Sequence, residues 1–174
     1  MKKIIILLAI ITISLIYKET KADTIIIPDA SIRLRVIPNS NSVLDQNMKN
    51  KVKTYLEENT YELLRTETNV EMARKLIKEN IPYLNENIKK IFNENNYNMN
   101  YNINYGNNYF PEKEYRGIKY EEGYYESIVI SIGKAEGDNW WCVLFPNLCL
   151  VDIENNNDIE YKSWVIETIN KIFK

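Results

Sequence analysis

The sequence predicts an α+β fold: an N-terminal strand, two to three helices, a mainly antiparallel sheet with helices on one face, and a short C-terminal helix. Three observations carry this prediction. Residues 32–37 alternate apolar and basic side chains with the two-residue period of a strand. Residues 43–93 place apolar side chains at helical spacing. From residue 98 the two-residue period returns, so we expect the helices to cover a sheet that contains the first strand.

Length and composition limit the classes of function. The chain has 174 residues, of which 45% are hydrophobic and 26% charged, which suits one folded domain over residues 31–174. The formal net charge of −2 argues against a nucleic-acid partner, because nucleic-acid binders normally carry a basic stripe. The chain has no histidine and only two cysteines, which excludes His-dependent triads and dyads, His-ligated metals and four-thiolate zinc sites. We expect no cofactor, no metal and no small-molecule substrate, and the composition favours a binding or signalling protein.

The first 22 residues have the pattern of a secretory signal peptide. Lys2 and Lys3 precede an apolar run over residues 4–16, and Ala22 ends a polar stretch that offers a cleavage site. The apolar run is shorter than the ~20 residues that span a bilayer, so cleavage is favoured over an uncleaved anchor, which is the alternative. In that alternative the protein contacts the membrane only through this segment. Residues 23–30 follow as a linker, and the remainder is expected outside the cytoplasm.

The first strand and first helix are the clearest elements. In residues 32–37 the apolar side chains face the core, and Arg33 and Arg35 are predicted to face outward. Residues 38–41 have the composition of a turn. Ser42 precedes Asp45 by three residues, which resembles a capping box at the start of a long helix.

The next segments are more ambiguous. A second helical stretch contains Pro82, so we expect either a kink or two helices, the second capped by Asn80. Residues 98–105 alternate asparagine with tyrosine and aliphatic side chains, which predicts a strand with one tyrosine-lined face. Residues 106–108 predict a turn, and Tyr109 starts a short edge segment because Pro111 cannot donate to a ladder. Residues 126–132 predict a central strand, residues 140–145 a strand ended by Pro146, and residues 161–173 a short docking helix.

Residues 140–149 form the most unusual segment. Both faces of this strand are apolar, so they are either both buried or one is an aromatic interface; burial is the default for an apolar strand. Cys142 and Cys149 are the only cysteines, and outside the cytoplasm such a pair predicts a disulfide. A reactive thiol is the rival interpretation, but no histidine is present to activate it.

Enzymatic alternatives have only weak signals. Acidic residues are plentiful, so a secreted hydrolase that acts on cell wall through two carboxylates is one alternative, and it predicts two acids converging in a cleft. A Ser-Lys dyad has equally nonspecific support. Residues 152–158 faintly resemble a calcium loop but lack its glycine and terminal glutamate. A carbohydrate-binding module would present a row of exposed tyrosines on one sheet face.

Three blocks of the sequence together resemble the stage II sporulation protein R family. Residues 32–42 are similar to the family pattern R-x-R-V-x-A-N-S-D-S, and residues 109–126 to Y-F-P-x-K followed by G-x-Y-E. Residues 137–149 are similar to G-x-N-W-W-C-V-L-F-P-P-L-C, which is the most specific of the three. The chain departs from the pattern at the turn positions Pro38, Asn41 and Asn147, and at the acidic pair before Gly123, which bears on local loop shape.

The resemblance implies a signalling protein of endospore formation, made in the forespore and exported into the space between the forespore and mother-cell membranes. Its implied partner is a membrane-embedded aspartic-type protease, contacted on its outer face, which then removes the pro-sequence of sigma-E. The family has no catalytic residues to carry over. We expect partner contacts among the residues of the three blocks: Arg33, Arg35, Asn39, Ser40, Tyr109, Phe110, Pro111, Tyr125, Asn139, Trp140, Trp141, Phe145 and Pro146. Each of these also has a structural interpretation: solvated arginines, a helix cap at the turn, and tryptophans in the core.

Overall fold

The computed structural model describes residues 30–115, 118–149 and 158–173. The predicted signal peptide over residues 1–22 and nearly all of the linker lie outside the described residues. The elements, in chain order, are β1 (Ile32–Ile37), α1 (Val43–Leu64), α2 (Val70–Glu94), β2 (Tyr101–Phe110), β3 (Lys113–Tyr115), β4 (Ile118–Tyr120), β5 (Gly123–Ile132), β6 (Trp140–Phe145) and α3 (Asp158–Phe173). The α+β class is confirmed.

The main sheet has the strand order β2-β5-β1-β6, so β1 lies inside it as predicted. Strand β5 pairs antiparallel with β2 and parallel with β1, whereas β6 pairs antiparallel with β1. A parallel pair needs a long crossover connection, and the chain between β1 and β5 contains both long helices. Strands β3 and β4 pair only with each other among the described residues.

Helices α1 and α2 cover one face of the sheet, as predicted. Ile32, Leu34 and Val36 of β1 are fully buried beneath them. The alternation of apolar and basic residues in β1 therefore does mark the two faces of the strand. The remaining buried members of this core come from α1, α2, β5, β6 and the connection after α2, which contributes Tyr97: Met48, Val52, Leu56, Leu64, Ala73, Ile77, Leu84, Ile88, Phe92, Tyr97, Ile128, Ile130, Ile132, Leu144 and Phe145.

Two predictions about the connecting elements are wrong. The alternative of two helices, the second capped by Asn80, is wrong, because α2 runs through Pro82 as one helix. Its N-cap is Asn69, whose side chain accepts from two backbone N–H groups, and a kink at Pro82 stays a prediction. The Asn80 side chain does not cap a helix; it donates to Asn59 of α1. The turn predicted at residues 106–108 is absent, because β2 continues through them to pair with the whole length of β5.

The sheet curls strongly toward its second face. Strands β2 and β6 are three positions apart, which in a flat sheet separates them by roughly 14 Å. Yet the rings of Phe110 on β2 and Trp141 on β6 have centroids only 5.5 Å apart. The curled end is closed by α3, whose Val165 and Ile169 pack there, while Phe173 contacts Phe145. The C-terminal helix therefore contacts both the core beneath α1 and α2 and the buried residues of the second face.

Within the described ranges, none of the helices combines the length and apolar character that crossing a membrane requires.

Candidate functional site

The two arginines of β1 occupy the concave face of the curled sheet. Arg33 was predicted to face solvent, and that prediction is wrong, because only 1% of its surface is exposed. Its guanidinium carbon lies 3.2 Å from the centroid of the Tyr125 ring and just over 5 Å from those of Phe110 and Trp141. Contact of a desolvated cation with an aromatic face is worth about 2 kcal/mol or more, which offsets part of the cost of burying the Arg33 charge.

Arg33 is surrounded by a second buried cluster, which we call the aromatic cluster. Trp141 is its centre, with edge-to-face contacts to Tyr120 and Phe110 at 5.1 and 5.5 Å. The cluster consists of Phe110, Tyr120, Tyr125, Trp141, Val143, Leu148 and Val165. All of these side chains are buried. The predicted contact residues Phe110, Tyr125 and Trp141 therefore pack inside the protein and are not at its surface.

Arg35 lies at the rim of the same face. It is half-buried, and its Nη1 donates to the backbone oxygen of Tyr109 at 3.3 Å. Its guanidinium carbon is 5.7 Å from the Phe110 ring centroid. Burial lowers the pKa of Arg35 from its usual value. Arg35 thus ties the middle of β1 to the far end of β2, and part of it reaches the surface.

The turn after β1 is organised by Asp45, which is only 4% exposed. Its carboxylate accepts from the hydroxyls of Ser40 and Tyr97, each at 2.5 Å, and from the Asn39 amide at 2.8 Å. The bonds from Ser40 and Tyr97 lower the pKa of Asp45 to about 2. Ser42 caps α1 by accepting from the Asp45 N–H, as the sequence predicts. Asn39 and Ser40 therefore stabilise the buried Asp45 carboxylate by donating hydrogen bonds to it.

The same turn is locked to the loop between β5 and β6. The Asn39 side chain accepts from the Lys134 N–H at 3.1 Å, and the Asn39 carbonyl accepts from Glu136 at 3.3 Å. A Cβ on Gly133 would lie 2.3 Å from the Asn39 side chain, and one on Gly137 equally close to the Ser40 carbonyl. Only glycine permits this approach, so Gly133 and Gly137 allow the loop to pack directly against the turn.

A disulfide and a backbone hydrogen bond hold the end of the segment formed by residues 139–149. Cys142 and Cys149 form a disulfide, as predicted, and the Leu148 N–H donates back to the Val143 carbonyl at 3.1 Å. Phe145 and Pro146 are buried. Asn139 and Trp140 are half-buried, and the Trp140 ring lies 5.4 Å from Lys53 Nζ. Of this block, Asn139 and Trp140 retain surface that a partner can reach.

An exposed tyrosine pair marks the other end of the sheet. Tyr109 and Tyr124 are opposite each other on β2 and β5, with ring centroids 5.7 Å apart and exposures of 47% and 72%. The Tyr109 hydroxyl donates to Glu122 at 2.9 Å, and Pro111 beside it is exposed. Sequence reasoning selected Tyr125 and missed Tyr124. The strand's alternation could have indicated it, since neighbours on a strand face opposite sides.

Two tyrosines of β2 and one acid of β5 lie on the face that the helices cover, where hydrogen bonds hold their side chains. Tyr105 packs under α2, where its hydroxyl donates to Glu126, and Tyr101 bonds Asn85. Glu126 is also paired with Arg74 at 2.7 Å. In the described part of the chain, no group of three or more cysteine or acidic residues is placed to hold a metal ion.

The comparisons with known proteins agree on one family. The family model described as stage II sporulation protein R matches residues 28–155, a range that contains all six strands and both long helices. Stage II sporulation protein R of Bacillus subtilis (strain 168) is 32% identical over 143 residues, which cover 82% of this chain and 64% of that relative. This chain therefore spans less than two thirds of the relative's length. No solved structure matches. The chain belongs to the stage II sporulation protein R family.

Proposed function

We propose that this protein is an exported signalling protein of endospore formation that activates a membrane-embedded aspartic-type protease by direct contact. The activated protease removes the pro-sequence of sigma-E in the mother cell. The chain acts from the space between the forespore and mother-cell membranes, which it reaches by its N-terminal signal segment. Family membership supports the role in sporulation. The activity, the partner and the compartment are our proposal.

One observation favours contact over catalysis. The polar groups of the first family block are engaged within the fold: Ser40 and Asn39 donate to the Asp45 carboxylate, and the Arg33 guanidinium lies against the ring of Tyr125. Such groups hold a rigid shape, whereas a hydrolase needs acids that face a substrate cleft. A rigid ligand loses little conformational entropy on binding, which favours affinity.

The accessible members of the candidate set define where contact occurs. Tyr109 and Pro111 are exposed, and Arg35 and Trp140 are half-buried. Tyr124 extends the surface beside Tyr109. Exposed tyrosines are common anchors of protein interfaces, because one ring supplies apolar area and a hydroxyl at low entropic cost.

The energetic requirement is a preference for one state of the protease. A ligand shifts an equilibrium only by its differential affinity for the two states. To move a protease from roughly 1% to roughly 99% active, the ligand must bind the active state about 10⁴-fold more tightly. Tight binding to both states alike has no effect.

The test is a reconstitution in a non-sporulating host. The protein, with its signal segment, is co-expressed with the candidate protease and the sigma-factor precursor, and loss of the pro-sequence is followed. We expect processing only when the chain is present. We also expect Tyr109→Ala combined with Tyr124→Ala to reduce processing by about tenfold, as for loss of an interface anchor.

The matched control is Tyr83→Ala, which removes a tyrosine of similar exposure from helix α2. Its processing should equal that of the unchanged protein. Absence of processing with a folded and exported chain overturns the proposal, and equal loss from both tyrosine variants overturns the assignment of the contact surface.

A further inference from the structure

The outer edge of β2 is left open by the fold. Strand β2 is the end strand of the main sheet, and all ten of its residues pair with β5 on the other side. Among the described residues no strand pairs with its outer side. Its sequence, YNINYGNNYF, contains no charge and no proline. Long edge strands normally carry charged residues or proline, because these prevent another strand from pairing with the open edge.

The opposite edge of the sheet shows the contrast. Strand β6 is short, with six residues, and its register shifts between Ile32 and Arg33 of its neighbour. The chain then folds back, so that the Leu148 N–H donates to the Val143 carbonyl, and a disulfide holds this return. Three features thus protect the β6 edge from pairing with another strand, and none of the three is found at the outer edge of β2 in the described part of the chain.

The register identifies the groups that the open edge offers. Gly133 donates to the Asn100 carbonyl at 2.8 Å, one position beyond the pair of Tyr101 and Ile132. Because hydrogen-bonded pairs alternate in an antiparallel ladder, even-numbered residues of β2 bond inward and odd-numbered ones point outward. The Tyr109 carbonyl is taken by Arg35, so the open ladder covers residues 101–107.

We propose that residues 101–107 pair antiparallel with the same residues of a second copy, which joins two sheets across a two-fold axis at Asn104. The strand suits its own copy because no like charges meet anywhere along it. Asn104 is exposed and meets Asn104 of the second copy. An amide both donates and accepts, so two asparagines satisfy each other, which two lysines or two glutamates cannot do.

The side chains on either side of the axis are compatible with this pairing. Asn104 donates one N–H to Asn108 at 2.8 Å, which leaves its other N–H and its carbonyl oxygen for the partner. Ile103 meets Tyr105 of the second copy, and Tyr101 meets Asn107. Aliphatic–aromatic pairs across strands contribute up to about 1 kcal/mol each. This homodimer is independent of the proposed function and goes beyond it.

Cysteine cross-linking of the exported protein tests the pairing. Asn104 is in a non-hydrogen-bonded position, where facing Cα atoms lie about 4.5 Å apart, within the range of a disulfide. We expect Asn104→Cys to give a covalent dimer on mild oxidation. Asn93→Cys, at an exposed site on α2, is the control and should not. Equal cross-linking of both variants, or none of Asn104→Cys, overturns the proposal.

Sedimentation over about a hundredfold range of concentration provides the second readout. The unchanged protein should show a monomer–dimer equilibrium. Asn104→Lys places two charges at the axis and should weaken the dimer by about tenfold, whereas Asn93→Lys should not. A protein that is monomeric throughout, or a dimer unaffected by Asn104→Lys, contradicts this interface. Asn104→Cys and Asn104→Lys both keep the hydrogen bonds to β5, since these come from the backbone of residue 104.

Discussion

Replacing Asp45 with asparagine tests the network that holds the turn after β1. The carboxylate receives hydrogen bonds from Ser40, Tyr97 and Asn39 and is almost completely buried. An amide keeps the shape but removes the charge, and its NH₂ group cannot accept. The hydroxyls must then turn or lose their partner, while the N-cap bond from the Asp45 N–H to Ser42 is retained.

The magnitude follows from the lowered pKa of Asp45. In the folded state the pKa is about 2, against an ordinary value of 3.8. Each pKa unit corresponds to about 1.4 kcal/mol, so the charged network contributes about 2–3 kcal/mol to the free energy of unfolding at neutral pH. Burial of the side chain opposes part of this, and the pKa of Asp45 already includes that opposition.

The sign of the pH dependence is also determined. Because the folded pKa lies below the unfolded one, the stabilisation is complete above the unfolded pKa of 3.8 and is lost as pH falls through the folded pKa. Asp45→Asn should therefore be about 2–3 kcal/mol less stable than the unchanged protein at pH 7, and the gap should shrink from about pH 4 to about pH 2.

Urea unfolding at several pH values measures this gap. Asp138→Asn is the control, because it neutralises an exposed carboxylate in the loop next to the same turn and should show no such gap. A gap for Asp45→Asn below about 0.5 kcal/mol at pH 7, or one that does not change down to pH 2, would show that the charge of Asp45 does not stabilise the fold.

Three further changes probe the rest of the fold. Arg33→Lys should lower the free energy of unfolding in urea by about 1–2 kcal/mol and alter the near-ultraviolet tryptophan signal, because an ammonium has no planar face to stack on the aromatic cluster. Unchanged stability would contradict the stacking. Replacing Cys142 and Cys149 with serine should cost about 2.5 kcal/mol from loop entropy, and adding reductant should then have no further effect on the variant. Gly133→Ala should lower the free energy of unfolding by about 2–3 kcal/mol, since Gly133 has a φ of +56° and lies against the Asn39 side chain. Gly106→Ala is the control and should be near neutral, because a Cβ there meets open space; equal losses would show that the close approach at Gly133 is unimportant.

Local periodicity was sufficient for the order of the elements. The alternation in β1 and the helical spacing in α1 are properties of short segments, and both appear at nearly the predicted bounds. The disulfide between Cys142 and Cys149 also follows from a short segment and its expected compartment.

The wrong predictions depend on tertiary structure. Arg33 has the sequence pattern of a solvent-facing residue, but β5 pairs beside β1 with Ser127 opposite Arg33, and Tyr125, two residues away on the same face, places its ring against the guanidinium. Residues 106–108 have turn chemistry, but pairing with all of β5 outweighs it. The Tyr97 partner of Asp45 lies 52 positions along the chain, so no local pattern indicates that bond.

A titration distinguishes the proposed activation of the protease by contact from activation by catalysis. Purified protein is added from outside to vesicles that carry a known amount of protease and enclose the sigma-factor precursor. We predict that processing rises with the amount added and saturates near a fixed ratio of chain to protease, as for a ligand that selects an active state. Full processing at amounts far below the protease would indicate turnover and contradict a contact mechanism, and no processing at saturating amounts would contradict activation itself.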